Sequence, residues 1–271
     1  MRVAWLLVLI GCANPLLGLQ ARRVVALDHA EVIIRWSTED DSQHARIEWA
    51  TTRAAHELDR WGGLESPVTL NVLPSHAALE QVTGRYGYGW LLAWGQYDTV
   101  SLQSPRTWRP PPRDDDIAEW LTHELTHCLM FQRSATSSTW TEKEIPLWFR
   151  EGLATVTARQ GYRYETLESL ATWQLAHPEL DIFTEGEALS EKASDQVYGI
   201  SYHAMTFFIR RYGDVAVLGT MHNMKEGDLF PAAFTKAVGI TPVAFAREFE
   251  NYLRLRGFRG FGLPVHRPIL Q

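Results

Sequence analysis

Asp114-Asp115-Asp116-Ile117-Ala118-Glu119-Trp120-Leu121-Thr122-His123-Glu124-Leu125-Thr126-His127-Cys128-Leu129-Met130-Phe131 is the stretch on which the reading of this chain turns. Three carboxylates open it, where the partial positive charge of a helix N-terminus favours them. Arg109-Pro110-Pro111-Pro112-Arg113 breaks the chain just before. Ile117, Trp120, Leu121, Leu125 and Met130 recur near helical spacing, which predicts a helix from 114 to about 131. His123 and His127 then lie one above the other on a single face. Both imidazoles can reach one ion, and neutral imidazole is a good zinc ligand. Glu124 is rotated about 100° from His123. That sets it beside the ion rather than on it, where it can take a proton from an activated water. Cys128 is turned a similar angle from His127 and reads as a small buried hydrophobe, not a ligand.

Two histidines leave zinc short of the three protein ligands usual in catalytic sites. The next candidate is Glu151, in Pro146-Leu147-Trp148-Phe149-Arg150-Glu151-Gly152-Leu153-Ala154. It stands 24 residues after His127. That is enough to finish one helix, turn, and present a carboxylate from a second. A carboxylate among Trp148, Phe149, Leu153 and Ala154 is costly unless it is paired or holds a metal. Pro146 suits the first turn of this second helix and Gly161 closes it. Glu144, His177 and His203 are next in line as third ligand. The Ser/Thr-rich connection at 134–144 is either a lid over the cleft or an idle loop.

Working outward, Glu31-Val32-Ile33-Ile34-Arg35-Trp36 within 24–36 reads as a strand. Residues 42–61 carry apolar side chains near helical spacing until Gly62-Gly63 stops them. Residues 67–73 form a second strand, and Ser75 caps a short helix through Val82. Trp90–Trp94 and Thr99–Gln103 alternate apolar and polar around Gly95-Gln96-Tyr97-Asp98, a hairpin signal. From about 164 to 256 the chain reads as helical throughout. Strands first and helices later make an α+β protein, an N-terminal mixed sheet with the motif helix followed by a mostly helical C-terminal half.

Composition excludes several classes. The 271 residues hold 45% apolar and 21% charged side chains, ordinary globular values. Lys plus Arg number 26 against 32 Asp plus Glu, so the net charge is −6. Duplex binders carry a basic excess, so nucleic acid is not an expected partner. No apolar run reaches the roughly 20 residues that span a bilayer. Two cysteines exclude a disulfide scaffold.

The N-terminus reads as an address. Arg2 precedes an apolar run from Val3 to Ile10, the length of a signal-peptide h-region. Leu9-Ile10-Gly11-Cys12 resembles a bacterial lipobox, in which Cys12 is lipidated and becomes the mature N-terminus. Several acyl chains on Cys12 anchor a protein stably, as a single short chain does not. Cleavage after Ala21 by the ordinary signal peptidase is the rival reading, and a buried N-terminal element is the third. Arg22 and Arg23 suit a mature tail. Residue 13 is alanine, so the acidic mark of inner-membrane retention is absent. The expectation is an exported cell-envelope protein, an outer-membrane lipoprotein facing the periplasm.

The pairing of HExxH with a downstream W-x-x-E-G-x-A segment resembles the gluzincin metallopeptidases, and the bacterial peptidase MA-like proteins in particular. The resemblance covers about 115–215. It implies a zincin-like fold, a Zn2+ ion on His123, His127 and Glu151, and Glu124 as general base. It extends to Tyr198, followed fifteen residues on by Gly213, where gluzincin aminopeptidases carry a tyrosine at a helix start. By resemblance Tyr198 steadies the oxyanion, with Tyr202 and His203 one turn on as rivals. The metzincin alternative is excluded, because Met130 and Arg133 occupy the places of its Gly and third His. No GxMEN-like segment exists to grip a free amino terminus. Thr155 replaces the acidic residue that often follows the third ligand by four positions. Glu119, one turn before His123, is a candidate carboxylate for orienting that ring, the alternative being an exposed helix charge.

These readings divide the chain into a leader and tether at 1–21, a zincin-like domain at 22–260 and a tail at 261–271. The domain bears strands over 22–113 and is helical over 114–260. The expected function is zinc-dependent hydrolysis of a peptide or protein substrate. The alternatives are an inactive zinc-bearing lipoprotein that binds peptides or serves structurally, and a zinc amidohydrolase acting on a non-protein amide. Glu124 speaks against the inactive reading, since a binding protein has no need of a base. The strand at 98–103 is the expected edge for an added substrate strand, by analogy with zincins.

Overall fold

β-Branched and aromatic runs give the first half its strands. Ala21–Ala26 (β1) pairs antiparallel with Glu31–Trp36 (β2). Helix α1 (His44–Leu58) crosses over to Val68–Leu73 (β3), which runs parallel to β2. Helix α2 (His76–Thr83) follows, capped by the Ser75 hydroxyl, which accepts from the Ala78 N–H at 3.2 Å. Ala93–Gly95 (β4) and Thr99–Gln103 (β5) form the hairpin, and β5 runs parallel to β3. The mixed sheet has the order β1-β2-β3-β5-β4. This computed structural model describes residues 14–28 and 30–259. Cys12 and the lipobox reading lie outside the described residues.

Two expectations change here. Arg22 and Arg23 belong to β1, not to a tail, because the pairing with β2 begins at Ala21. β5 is an interior strand, hydrogen-bonded to β3 on one side and β4 on the other. The hairpin folds its first strand outward, so the edge beside the motif helix is β4.

Alternation splits the sheet into two faces. Val68, Leu70 and Val72 face α1 and the motif helix, in one core with Ile47, Leu121 and Leu125. Leu73 faces the other way, against Leu19, Leu79 and Leu91. The motif helix α3 spans Asp114–Ser134, three residues longer than its apolar pattern indicated. Asp116 caps its start by accepting from the Arg113 N–H at 2.8 Å and pairing with the Arg113 guanidinium at 2.7 Å. At its end the Lys225 ammonium donates to the Gln132 and Ala135 carbonyls at 2.5 and 2.9 Å, the sign a helix C-terminus favours.

Among the described residues seven helices follow: α4 (Leu147–Thr157), α5 (Leu167–Ala176), α6 (Ile182–Ser190), α7 (Ser194–Tyr212), α8 (Asp214–Lys225), α9 (Phe230–Val238) and α10 (Pro242–Arg259). α4 stops short of Gly161, because Arg159 takes a left-handed φ of 57° and starts a 3-10 turn at Gln160–Arg163. The helical half is held by aromatics around Trp148, whose ring stacks on Phe245 at 5.1 Å. α4 and α7 meet at Gly152, where an added Cβ would stand 2.5 Å from the Ser201 carbonyl oxygen. A glycine after Glu151 therefore lets the backbone of α7 approach α4. No helix among the described residues is long and apolar enough to cross a membrane.

Candidate metal centre

The middle of α3 is buried on all sides, by the sheet, by α1 and by α4. His123 and His127 emerge from it toward the gap between the two halves, with ring centroids 4.9 Å apart. α4 brings Glu151 to the same point. His123 Nε2 lies 3.3 Å from Glu151 Oε2, and His127 Nε2 lies 3.6 Å from Oε1. One ligating atom from each of the three falls within 4.8 Å of the others. Zinc with ligands at about 2.0–2.2 Å in a tetrahedron sets donors about 3.3–3.6 Å apart. Both His–Glu separations match that edge and are long for direct hydrogen bonds, so the donor set fits the ion.

Charge agrees with geometry. Burial would raise the Glu151 carboxyl, but His127 and His123 outweigh it and hold it well below the usual carboxylate range. Burial also works against protonation of His123, yet the carboxylates of Glu151 and Glu124 prevail and raise it. His123 Nδ1 faces the Gln160 Oε1 at 2.8 Å. An amide oxygen only accepts, so Nδ1 carries the proton and Nε2 is left to ligate. Gln160 is itself buried, and its Nε2 has no partner among the described residues.

Glu124 sits one step round the helix, on the side of β4. Its Oε2 accepts the Gly95 N–H at 2.6 Å. Burial raises its carboxyl above the ordinary value. Its other oxygen makes no hydrogen bond among the described residues, and the side chain lines the cleft with the three ligands. Tyr198 lines the same cleft from the second turn of α7. Burial pushes its phenol upward, so it stays a donor, and its hydroxyl has no partner among the described residues.

Tyr202 and His203 do not line this cleft. Tyr202 stacks on Tyr164 at 6.2 Å, and His203 Nε2 meets the Glu165 carbonyl at 3.0 Å. Glu144 and His177 are not in the ligand cluster either. His177 bonds the Trp173 carbonyl at 2.9 Å. Glu119 does not orient His123. It accepts from Tyr162 and Arg163 at 2.8 and 2.6 Å, and Gln160 takes the expected role. Residues 134–144 do not line the cleft. Trp140 packs on Phe131 at 4.5 Å and Lys143 donates to the Asp228 carbonyl at 3.2 Å, which ties that segment to the helical half. Cys128 is fully buried, and burial pushes its thiol up.

Sequence reading passed over Gly95, Gln160 and Tyr164. Gly95 carried only a turn signal. Gln160 precedes a glycine that reads as a helix end, and Tyr164, which also lines the cleft, is one aromatic among many.

No family model and no curated protein matches this sequence. Among solved structures, the chain is similar to the M1 zinc metallopeptidase of Deinococcus radiodurans. One is a mutant bound to a Tyr-Ser-Ala substrate, at 16% identity and TM-score 0.42. Another is a structure of that mutant at 15% and 0.41. Each match covers 90% of this chain and 53% of the solved one, so the chain spans about half the length of the proteins it matches. A likeness this distant assigns neither an activity nor residue roles to the present chain.

Proposed function

We propose that this chain is a zinc-dependent metallopeptidase, with His123, His127 and Glu151 as ligands and Glu124 as general base. One observation carries the reading. Two buried histidines and a partly exposed glutamate converge, with both His–Glu separations at tetrahedral spacing, and a separately held carboxylate borders the same cleft. When bound, zinc polarises a carbonyl and lowers the pKa of water. Glu124 takes the proton of the attacking water on its free oxygen while the Gly95 N–H holds the other. It then gives that proton to the departing amine. Tyr198 donates its hydroxyl to the oxygen that gains charge as water adds to the carbonyl. The HExxH and W-x-x-E-G-x-A pattern supports the same roles. Export and lipid anchoring at Cys12 belong to this proposal and rest on the lipobox pattern alone.

The test is a cleavage assay on the zinc-loaded protein with a diverse peptide library, read by mass spectrometry. Glu124→Gln is expected to keep its zinc and lose at least about a hundredfold in rate. Equal cleavage by that variant would discard the mechanism. A folded, zinc-loaded wild type that binds peptides and cuts none would establish the binding-protein alternative.

A further inference from the structure

Two cavities meet at the candidate centre. One, of about 340 Å³, holds His123, Glu124 and His127. The other, of about 390 Å³, opens on the far side of Glu151 and Tyr198. Each is within the range that buries much of a small ligand. They share Trp90, Leu91, Trp94, Glu151 and Tyr198. The reacting position is thus the middle of a trench rather than the blind end of a pocket. Beyond the shared wall the first cavity reaches Asp195 and the second reaches Arg85 and Glu187, all exposed. Both arms therefore run out to solvent.

The charges in the trench bear on which part of a chain it takes. A chain end carries an ion that needs a partner when it leaves water. Each cation that lines the arms is either engaged or exposed: Arg85 is exposed, with its guanidinium over the Trp94 ring at 4.0 Å. Arg163 is bonded to Glu119 at 2.6 Å and Arg150 is paired with Glu187. Asp195, which would suit an amine end, is exposed and borders only one arm. Outside the metal centre, no buried unpaired ion among the described residues lines either cavity. What the two arms have in common is an aromatic wall, Trp90 and Trp94, suited to apolar side chains and to an uncharged backbone.

We propose that the site cleaves internal bonds of extended polypeptides, with substrate occupying both arms and neither end held. This rests on the peptidase reading above. Water adds to the carbonyl carbon, the C–N bond breaks, and the released nitrogen takes up a proton. The products are two shorter peptides, one with a new carboxylate end and one with a new amine end.

The test uses the full zinc-loaded chain and one set of dodecapeptides made twice, with free ends and with acetyl and amide ends. Blocked peptides are expected to be cut internally at rates close to those of the free ones. Arg85→Glu and Asp195→Lys should each change the residues preferred beside the cut by about fivefold, the effect of one exposed charge. The two changes should fall on opposite sides of the cut. Removal of single residues from free-ended peptides only would overturn the inference and leave the peptidase reading intact. So would both variants altering the same side. If no peptide of either set is cut, the peptidase reading and this inference fall together.

Discussion

The Gly95 N–H donates to Glu124 Oε2 at 2.6 Å, joining edge strand β4 to the helix that carries the candidate base. The contact depends on a missing side chain. A Cβ on Gly95 would stand 2.5 Å from the Glu124 carbonyl oxygen, which is helix backbone and cannot swing aside. Gly95→Ala is therefore expected to cost about 1–3 kcal/mol in stability, the usual range for overpacking. It should also lower peptide hydrolysis, because the strand that holds Glu124 is pushed away. Urea unfolding measures the first effect. Gly18→Ala is the control, since nothing lies within 4 Å of an added Cβ there. An unshifted midpoint for Gly95→Ala would contradict the packing.

Gln160 and His123 make the next prediction. Gln160→Ala leaves the buried His123 Nδ1 without the oxygen that fixes its tautomer. Outer partners of ligating histidines are worth about 10–100-fold in metal affinity. Competition with a chromophoric chelator should show zinc affinity weakened within that range, with the fold retained by circular dichroism. Affinity equal to wild type would show that the ring is oriented by packing alone.

The parts of the site that were legible in sequence are those governed by a period. Helical spacing puts His123 and His127 on one face, and the structure finds both rings at one point. Glu151 could be noticed because a carboxylate among Trp148, Phe149 and Leu153 needs a reason to be there. Gln160 could not, because Arg159 turns the chain with a positive φ and no periodicity crosses that turn. Gly95 looked like any hairpin glycine, since its contact with α3 is tertiary. The strand composition of 99–103 is right, yet whether that strand is interior or edge depends on how the hairpin folds onto β3. β1 hid behind two consecutive arginines, tolerable there because it is an edge strand with Arg22 and Arg23 exposed.

Asp116 gives a pH prediction. The Arg113 side chain holds its carboxyl below the ordinary value. A depressed folded pKa adds stability above the unfolded value of about 3.9 and loses it as pH falls through the folded one. Asp116→Ala should thus lower unfolding free energy by about 1 kcal/mol at pH 7, the size of a lost helix cap. The gap between variant and wild type should close as pH drops below about 4. A gap constant down to pH 2 would mean that the carboxylate's charge plays no part.

Cys128 lies between α3 and β5 with none of its surface exposed, and its sulfur approaches the Thr99 carbonyl at 4.0 Å. A reagent can reach it only when α3 leaves the sheet. α3 also carries both histidines, so that opening is expected to be close to global unfolding. In a Cys12→Ser background, labelling of the remaining thiol by a disulfide reagent should be negligible in native buffer. It should rise with urea along the same curve as loss of tryptophan fluorescence. Because ligands that bind only the folded chain stabilise it, added zinc should shift both curves together to higher urea. Rapid labelling in native buffer would show that α3 opens locally, and a metal centre built on two turns of that helix could not then persist.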